Sequence, residues 1–219
     1  MPTIKNNFVI IETANTTYAM MITPHKDIQH IYYGKKLNKD DIESLVPKRK
    51  LLLVNSLYMA GDVSYGIDDM SFEYSFAHRG DSRPSACILC DEDNEVFDFQ
   101  FDKIIKNGKP SKTAAASRNS DETLTVQLKC TDKDVILRLH FAVFYESDVI
   151  TRWTEVVNNT RKAISIEKLM SNQLDLKGGK YNLVTFDGAW RFSLFYSNPR
   201  QALIIILKCL SFGEILYFE

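Results

Sequence analysis

No stretch of this 219-residue chain comes near the roughly 20 consecutive apolar residues that a membrane-spanning helix needs. The longest late apolar run, residues 202–207, is broken by Lys208. Nor is there an excess of positive charge. Lys and Arg number 27 against 28 Asp and Glu, the net charge is −1, and the pI is about 6.4. Nothing in that balance favours nucleic acid or an anionic membrane as a partner. A basic-then-apolar leader is missing too: residues 1–7 are polar, and the apolar run 8–11 is too short for a signal segment. The expectation is a cytoplasmic protein with reduced thiols. The sequons at Asn15 and Asn158 are then chance matches.

Cofactor and metal signatures are equally scarce. The four histidines, His25, His30, His78 and His140, form no HxH or HExxH arrangement. GxSxG, Walker and GxGxxG patterns do not occur. Cysteine is limited to Cys87, Cys90, Cys130 and Cys209. The one CxxC, Cys87–Cys90, lies within a strand-like segment and has no second knuckle, so it reads as buried or half-buried free thiols. No metal and no cofactor is expected. The acidic turn Asp91-Glu92-Asp93 places its carboxylates side by side and lacks the fixed separation a glycosidase pair needs.

Strand patterning is what the chain has in quantity. Hydrophobic residues make up 45% of it, enough to bury a core. Residues 7–13 and 17–23 read as a hairpin, and 30–37 as a third strand. Residues 38–44 could begin a short helix. Phe72, Tyr74 and Phe76 alternate with Glu73 and Ser75, the pattern of an amphipathic strand. Phe97, Phe99 and Phe101 alternate with polar residues in the same way. Leu124, Val126, Leu128 and Cys130 share one face, as do Val135, Leu137, Leu139, Phe141 and Val143. Residues 150–157 alternate again, and after the Asn158-Asn159-Thr160 turn so do Ile164 and Ile166, which suggests a strand pair. Strand after strand at short spacing predicts an all-β protein, an antiparallel β-sandwich with few short helices.

In order along the chain, several segments resemble glycoside hydrolase family 36 α-galactosidases. They are Thr17-Tyr18-Ala19-Met20, Ile22-Thr23-Pro24, and residues 30–37; the loop Tyr65-Gly66-Ile67-Asp68-Asp69 with its Tyr-Gly-x-x-Asp spacing; and Arg83-Pro84-Ser85. Residues 99–110, Ile150-Thr151-Arg152, Val157-Asn158-Asn159, and Gly188-Ala189-Trp190 follow in the same order. The resemblance implies the family's N-terminal β-supersandwich domain over residues 1–190. It also implies an activity on terminal α-galactosides such as melibiose and raffinose, with retention, carried by two Asp of a following (β/α)8 barrel. The intact enzyme would be a homo-oligomer.

Neither catalytic segment of that barrel occurs here. Trp153 and Trp190 are followed by Thr and Arg, so the family's Trp-Asp strand end has no match. No residue is therefore assigned a catalytic role, and the chain alone is expected to be inactive. Asp69, in a Gly-containing loop beside Tyr65, is the candidate for sugar binding. Residues 191–219 turn apolar without a clear period and match nothing expected there, as a shifted reading frame would produce. The alternative is a stand-alone carbohydrate-binding or interaction module, using aromatics such as Tyr32, Tyr33 or Tyr65.

Overall fold

The structure, a computed structural model, describes residues 2–46, 66–67, 70–76, 83–93, 97–107 and 117–174, together with the backbone of three later strands. The chain divides into two units, Met1–Asp175 and Leu176–Glu219.

The first unit opens with a meander of β1 (Thr3–Lys5), β2 (Phe8–Glu12), β3 (Thr16–Ile22) and β4 (Ile28–Lys35), all antiparallel. Strand β1 lies in the polar start, where no strand was expected. Its hairpin needs only two loop residues, since Lys5 sits opposite Phe8. Asn6 takes φ 53° there, a left-handed conformation that Asn tolerates and two-residue hairpins require. The helix start expected over residues 38–44 is a single 3-10 turn, Ile42–Leu45.

A second meander contains β6 (Phe99–Lys106), β7 (Glu122–Cys130), β8 (Val135–Phe144) and β9 (Val149–Asn158). Its registers set Leu124 opposite Phe141, Val126 opposite Leu139, and Leu128 opposite Leu137. Each strand therefore turns one apolar row to the same face. That row packs with Val9, Ile11, Tyr18 and Met20 of the first sheet in one continuous core. The opposite face of the first sheet buries Ile10 and Ala19 against Ile42 of the 3-10 turn. The antiparallel β-sandwich is as the alternation predicted.

Two expectations are corrected. Strands β9 and β10 (Ser165–Leu169) do not pair with each other. Strand β9 pairs with β8, while β10 pairs antiparallel with β5 (Cys87–Cys90). The Asn158 side chain accepts from the Thr160 amide at 2.9 Å and donates to the Lys162 carbonyl at 2.9 Å. That turn closes locally, but the edge of β9 is not where β10 finds its partner. Of the strand expected over residues 71–77, the described residues 71–76 do not form a regular strand either. They make isolated bridges, Gln29 with Phe72 and Phe76 with Cys87. Backbone bonds from His30 to Ser71 (2.7 Å), Glu73 to Ile28 (2.9 Å) and Ala86 to Ser75 (3.0 Å) stitch this segment between β4 and β5.

The irregular path carries Glu73 into the core, fully buried. One carboxylate oxygen lies 2.6 Å from a terminal nitrogen of Arg152, itself on the inward row of β9. Tyr18 donates to the same carboxylate at 2.6 Å, and His30 Nδ1 lies 3.3 Å from it. Arg152 also donates to the Tyr18 hydroxyl at 2.8 Å and to Asn172, and its guanidinium lies 4.6 Å from the Phe141 ring. Burial by itself would push Glu73 up. The Arg152 guanidinium, then His30 and Tyr18, outweigh it and hold the carboxyl below its ordinary value.

The second unit has β11 (Tyr181–Asp187), β12 (Leu203–Cys209) and β13 (Glu214–Phe218), paired antiparallel in that order. Two of these strands fall where residues 191–219 showed no period. Runs such as Leu203-Ile204-Ile205-Ile206-Leu207 are apolar at every position, so they carry no alternation by which a strand is recognised.

Removing one partner of the buried pair leaves an uncompensated charge. Arg152→Met is expected to cost about 3–5 kcal/mol in urea unfolding, and the double exchange Glu73→Gln, Arg152→Met clearly less. A single exchange within about 1 kcal/mol of the native chain contradicts this. A carboxyl depressed on folding stabilises the fold above its unfolded value, ordinarily 4.5, and this contribution is lost as pH falls through the folded value. Stability should therefore drop below about pH 4.5, and drop less in the double variant.

Candidate functional site

Asp69 lies outside the described residues, as do Tyr65 and Asp68. Its described neighbours are firmly held. Ile67 and Met70 are buried with Phe72 in a small cluster of their own. Arg83 donates to the carbonyl of Met70 and, at 3.3 Å, to that of Ile67, while its guanidinium lies 5.0 Å from the Phe72 ring. One cation thus anchors the backbone on both sides of residues 68–69.

The other polar clusters are judged by access. Glu73, Arg152, His30 and Tyr18 lie between the sheets, out of reach of any substrate, so their chemistry is structural. On the opposite face of the second sheet, Thr125 Oγ1 lies 2.8 Å from His140 Nδ1, and Glu155 lies 3.2 Å from His140 Nε2. A hydroxyl, an imidazole and a carboxylate in series resemble a nucleophile with its base. Thr125 and His140 are both buried, however, and Trp153 stacks on the imidazole at 4.8 Å with the planes 9° apart. Glu155 also pairs with Arg138, which bonds Gln127, which bonds Asp102. The chain of bonds satisfies the buried polar groups of Thr125, Gln127 and His140, with Arg138 and Glu155 half-buried at its outer end. Burial, opposed by Glu155, holds His140 below its ordinary value.

The cysteines behave as the sequence suggested. Cys87 and Cys130 are buried, Cys90 is half-buried, and all three are free thiols. Burial pushes the Cys87 thiol up to about 12. Among the described residues no three His, Cys, Asp or Glu come together as a metal site. Among the described residues no helix is long and apolar enough to cross a membrane.

An open cleft of about 750 Å³ lies where turns of the two sheets meet. Glu12, Lys36 and Lys39 come from the first sheet and its exit. Asp121 and Glu122 begin β7, and residues 143–147 end β8 and turn toward β9. Asp148 holds that turn in place. It accepts from Thr13 Oγ1 at 2.7 Å, from the Asn15 amide at 2.7 Å and from the Asn15 side chain at 2.6 Å. It does so at φ 57°, a left-handed conformation open to Asp. Burial works against the charge of Asp148, but the bonds from Thr13 and Asn15, helped by Lys36, lower its pKa. The Tyr145 amide donates to Asp121 at 2.6 Å, and its carbonyl accepts from Ala14 at 3.1 Å. These residues were not singled out in the sequence. They are scattered over more than 130 positions and share no spacing, so only the meeting of two turns assembles them.

Of the tyrosines considered for a binding module, Tyr65 lies outside the described residues, and Tyr32 and Tyr33 are engaged elsewhere. Tyr33 packs at 5.3 Å from Tyr18, and Tyr32 donates to the Lys35 carbonyl at 2.8 Å.

The described architecture is therefore that of an antiparallel β-sandwich, with ordered turns at its edges. Comparison with known proteins places it more closely. The sequence profile of the glycosyl hydrolase family 36 N-terminal domain matches residues 26–191, and the chain belongs to that family. The bifunctional α-galactosidase/sucrose kinase AgaSK of Mediterraneibacter gnavus is 31% identical over 185 residues, which cover 81% of this chain and 20% of that protein. The α-galactosidase Mel36A of Lactobacillus acidophilus is 23% identical over 192 residues, covering 84% of this chain and 26% of the relative. In three dimensions, the α-galactosidase of Lactobacillus brevis shares the fold with a TM-score of 0.78 at 19% identity, over 94% of this chain and 32% of that one. The chain thus spans a fifth to about a quarter of the length of these curated relatives.

Replacing Asp148 with Ala removes three hydrogen bonds to a charged acceptor and puts a poorly suited residue at positive φ. A loss of about 1–2 kcal/mol is expected in urea unfolding, with Asp148→Asn losing less. Equal losses for the two variants would show that the carboxylate's bonds do not set the turn.

Proposed function

We propose that this chain is the N-terminal β domain of a retaining α-galactosidase that removes terminal galactose from α-galactosides such as melibiose and raffinose. The observation that carries this is the family match over residues 26–191, joined to relatives that are themselves α-galactosidases. The chemistry belongs to a barrel that the relatives' remaining length leaves room for. The sandwich supports that barrel and its assembly into a homo-oligomer in the cytoplasm. Asp69 lends its carboxylate to sugar hydroxyls there, on a stretch that Arg83 anchors from both sides.

On this reading the purified chain should not turn over a chromogenic α-galactoside. Grafted in place of the matching N-terminal segment of the Mediterraneibacter gnavus enzyme, it should yield an active α-galactosidase. In that hybrid Asp69→Asn should raise KM about tenfold or more while the hybrid stays folded. Turnover by the chain alone would overturn the division of labour. An inactive but folded hybrid would overturn the family role.

A further inference from the structure

We infer that the cleft between the 13–16 and 145–148 turns is a binding site for a neutral saccharide, separate from any contribution of Asp69. Its volume, about 750 Å³, falls within the roughly 300–1,000 Å³ of small-molecule sites. Tyr145 lines it with 40% of its surface exposed. The Tyr145 backbone is bonded on both sides, to Asp121 and to Ala14, and the turn behind it is pinned by Asp148. Lys36 lies 5.6 Å from the ring centroid, and its ammonium is tied to the carbonyls of Thr13 at 3.1 Å and Ala14 at 3.3 Å. The backbone that carries this aromatic surface is therefore set before binding, which lowers the ordering cost.

The polar lining selects the ligand class. Four carboxylates, Glu12, Asp121, Glu122 and Glu146, face two ammonium groups, Lys36 and Lys39. The excess of negative charge disfavours an anion such as a phosphate. The cation position over Tyr145 is already taken by Lys36, which disfavours a basic peptide. A neutral polyol suits both parts. Carboxylates accept from neighbouring hydroxyl pairs, ammonium groups donate to hydroxyl oxygens, and the C–H face of a pyranose lies against a tyrosine ring. Glu122, Glu146 and Ser147 are placed to accept from the ligand. Glu12 and Lys39, 2.8 Å apart, form the opposite wall. This proposal rests on the α-galactosidase reading only for its first probe, a galactoside.

The test is titration of the full chain with raffinose, methyl α-galactoside, maltose and a short oligolysine, followed by calorimetry and by tyrosine fluorescence. Saturable, millimolar binding of at least one saccharide is expected. Tyr145→Ala should weaken it about tenfold, Tyr145→Phe should leave it near the native value, and Glu146→Gln should weaken it about threefold, all with unchanged unfolding midpoints. Binding of maltose in preference to galactosides keeps the cleft as a saccharide site and counts against the α-galactosidase reading. No saturable binding of any saccharide overturns the proposal. So does binding that Tyr145→Ala leaves intact, or preference for oligolysine.

Discussion

A carboxylate and a guanidinium 2.6 Å apart, closed off between two sheets, set the terms on which this sandwich can assemble. Glu73 enters from an irregular segment, Arg152 from the inward row of β9, and Tyr18 and His30 from the first meander. None of these charges tolerates burial alone. The two layers must therefore approach in the one register that brings them together. Hydrophobic packing drives the closure, but an apolar row can slide. A buried ion pair with fixed hydrogen-bond partners cannot, so it contributes specificity more than net stability.

The same constraint explains why residues 70–76 are not a strand. Regular pairing would have turned Glu73 to the face opposite Phe72, Tyr74 and Phe76, as alternation predicts. Two isolated bridges and a run of single backbone bonds let the segment twist between β4 and β5. Tyr74 is buried and donates to the Met170 carbonyl at 2.7 Å, and Glu73 is buried beside it. Just before this segment the chain carries Asp69, and just after it Arg83 reaches back to the carbonyls of Ile67 and Met70.

The two polar assemblies at the surface differ in what holds them. In the Thr125–His140–Glu155 series the hydroxyl and the imidazole are buried and serve the sheet. The cleft at the 145–148 turn is open, and the backbone that carries Tyr145 is held by bonds made elsewhere, above all by Asp148. Burial decides between a polar group that completes a fold and one left for a ligand. The chemical types of the residues are the same in both.

Alternation alone determined the all-β class and the inward rows of β7, β8 and β9, because successive side chains on a strand point to opposite faces and every second residue shares one. Ordered family motifs determined the kinship, since they are short, local and readable in one dimension. Pairing was another matter. The Asn158 turn made β9 and β10 look like partners, yet β10 completes β5 from 75 residues earlier in the chain, because edge matching is settled across space. Strand β1 was hidden in a polar stretch for a similar reason: its place comes from the free edge of β2. The burial of Glu73 and the cleft around Tyr145 could not be read from the chain, since each gathers residues from distant turns and strands. Only the packed structure decided which charges met one another and which met water.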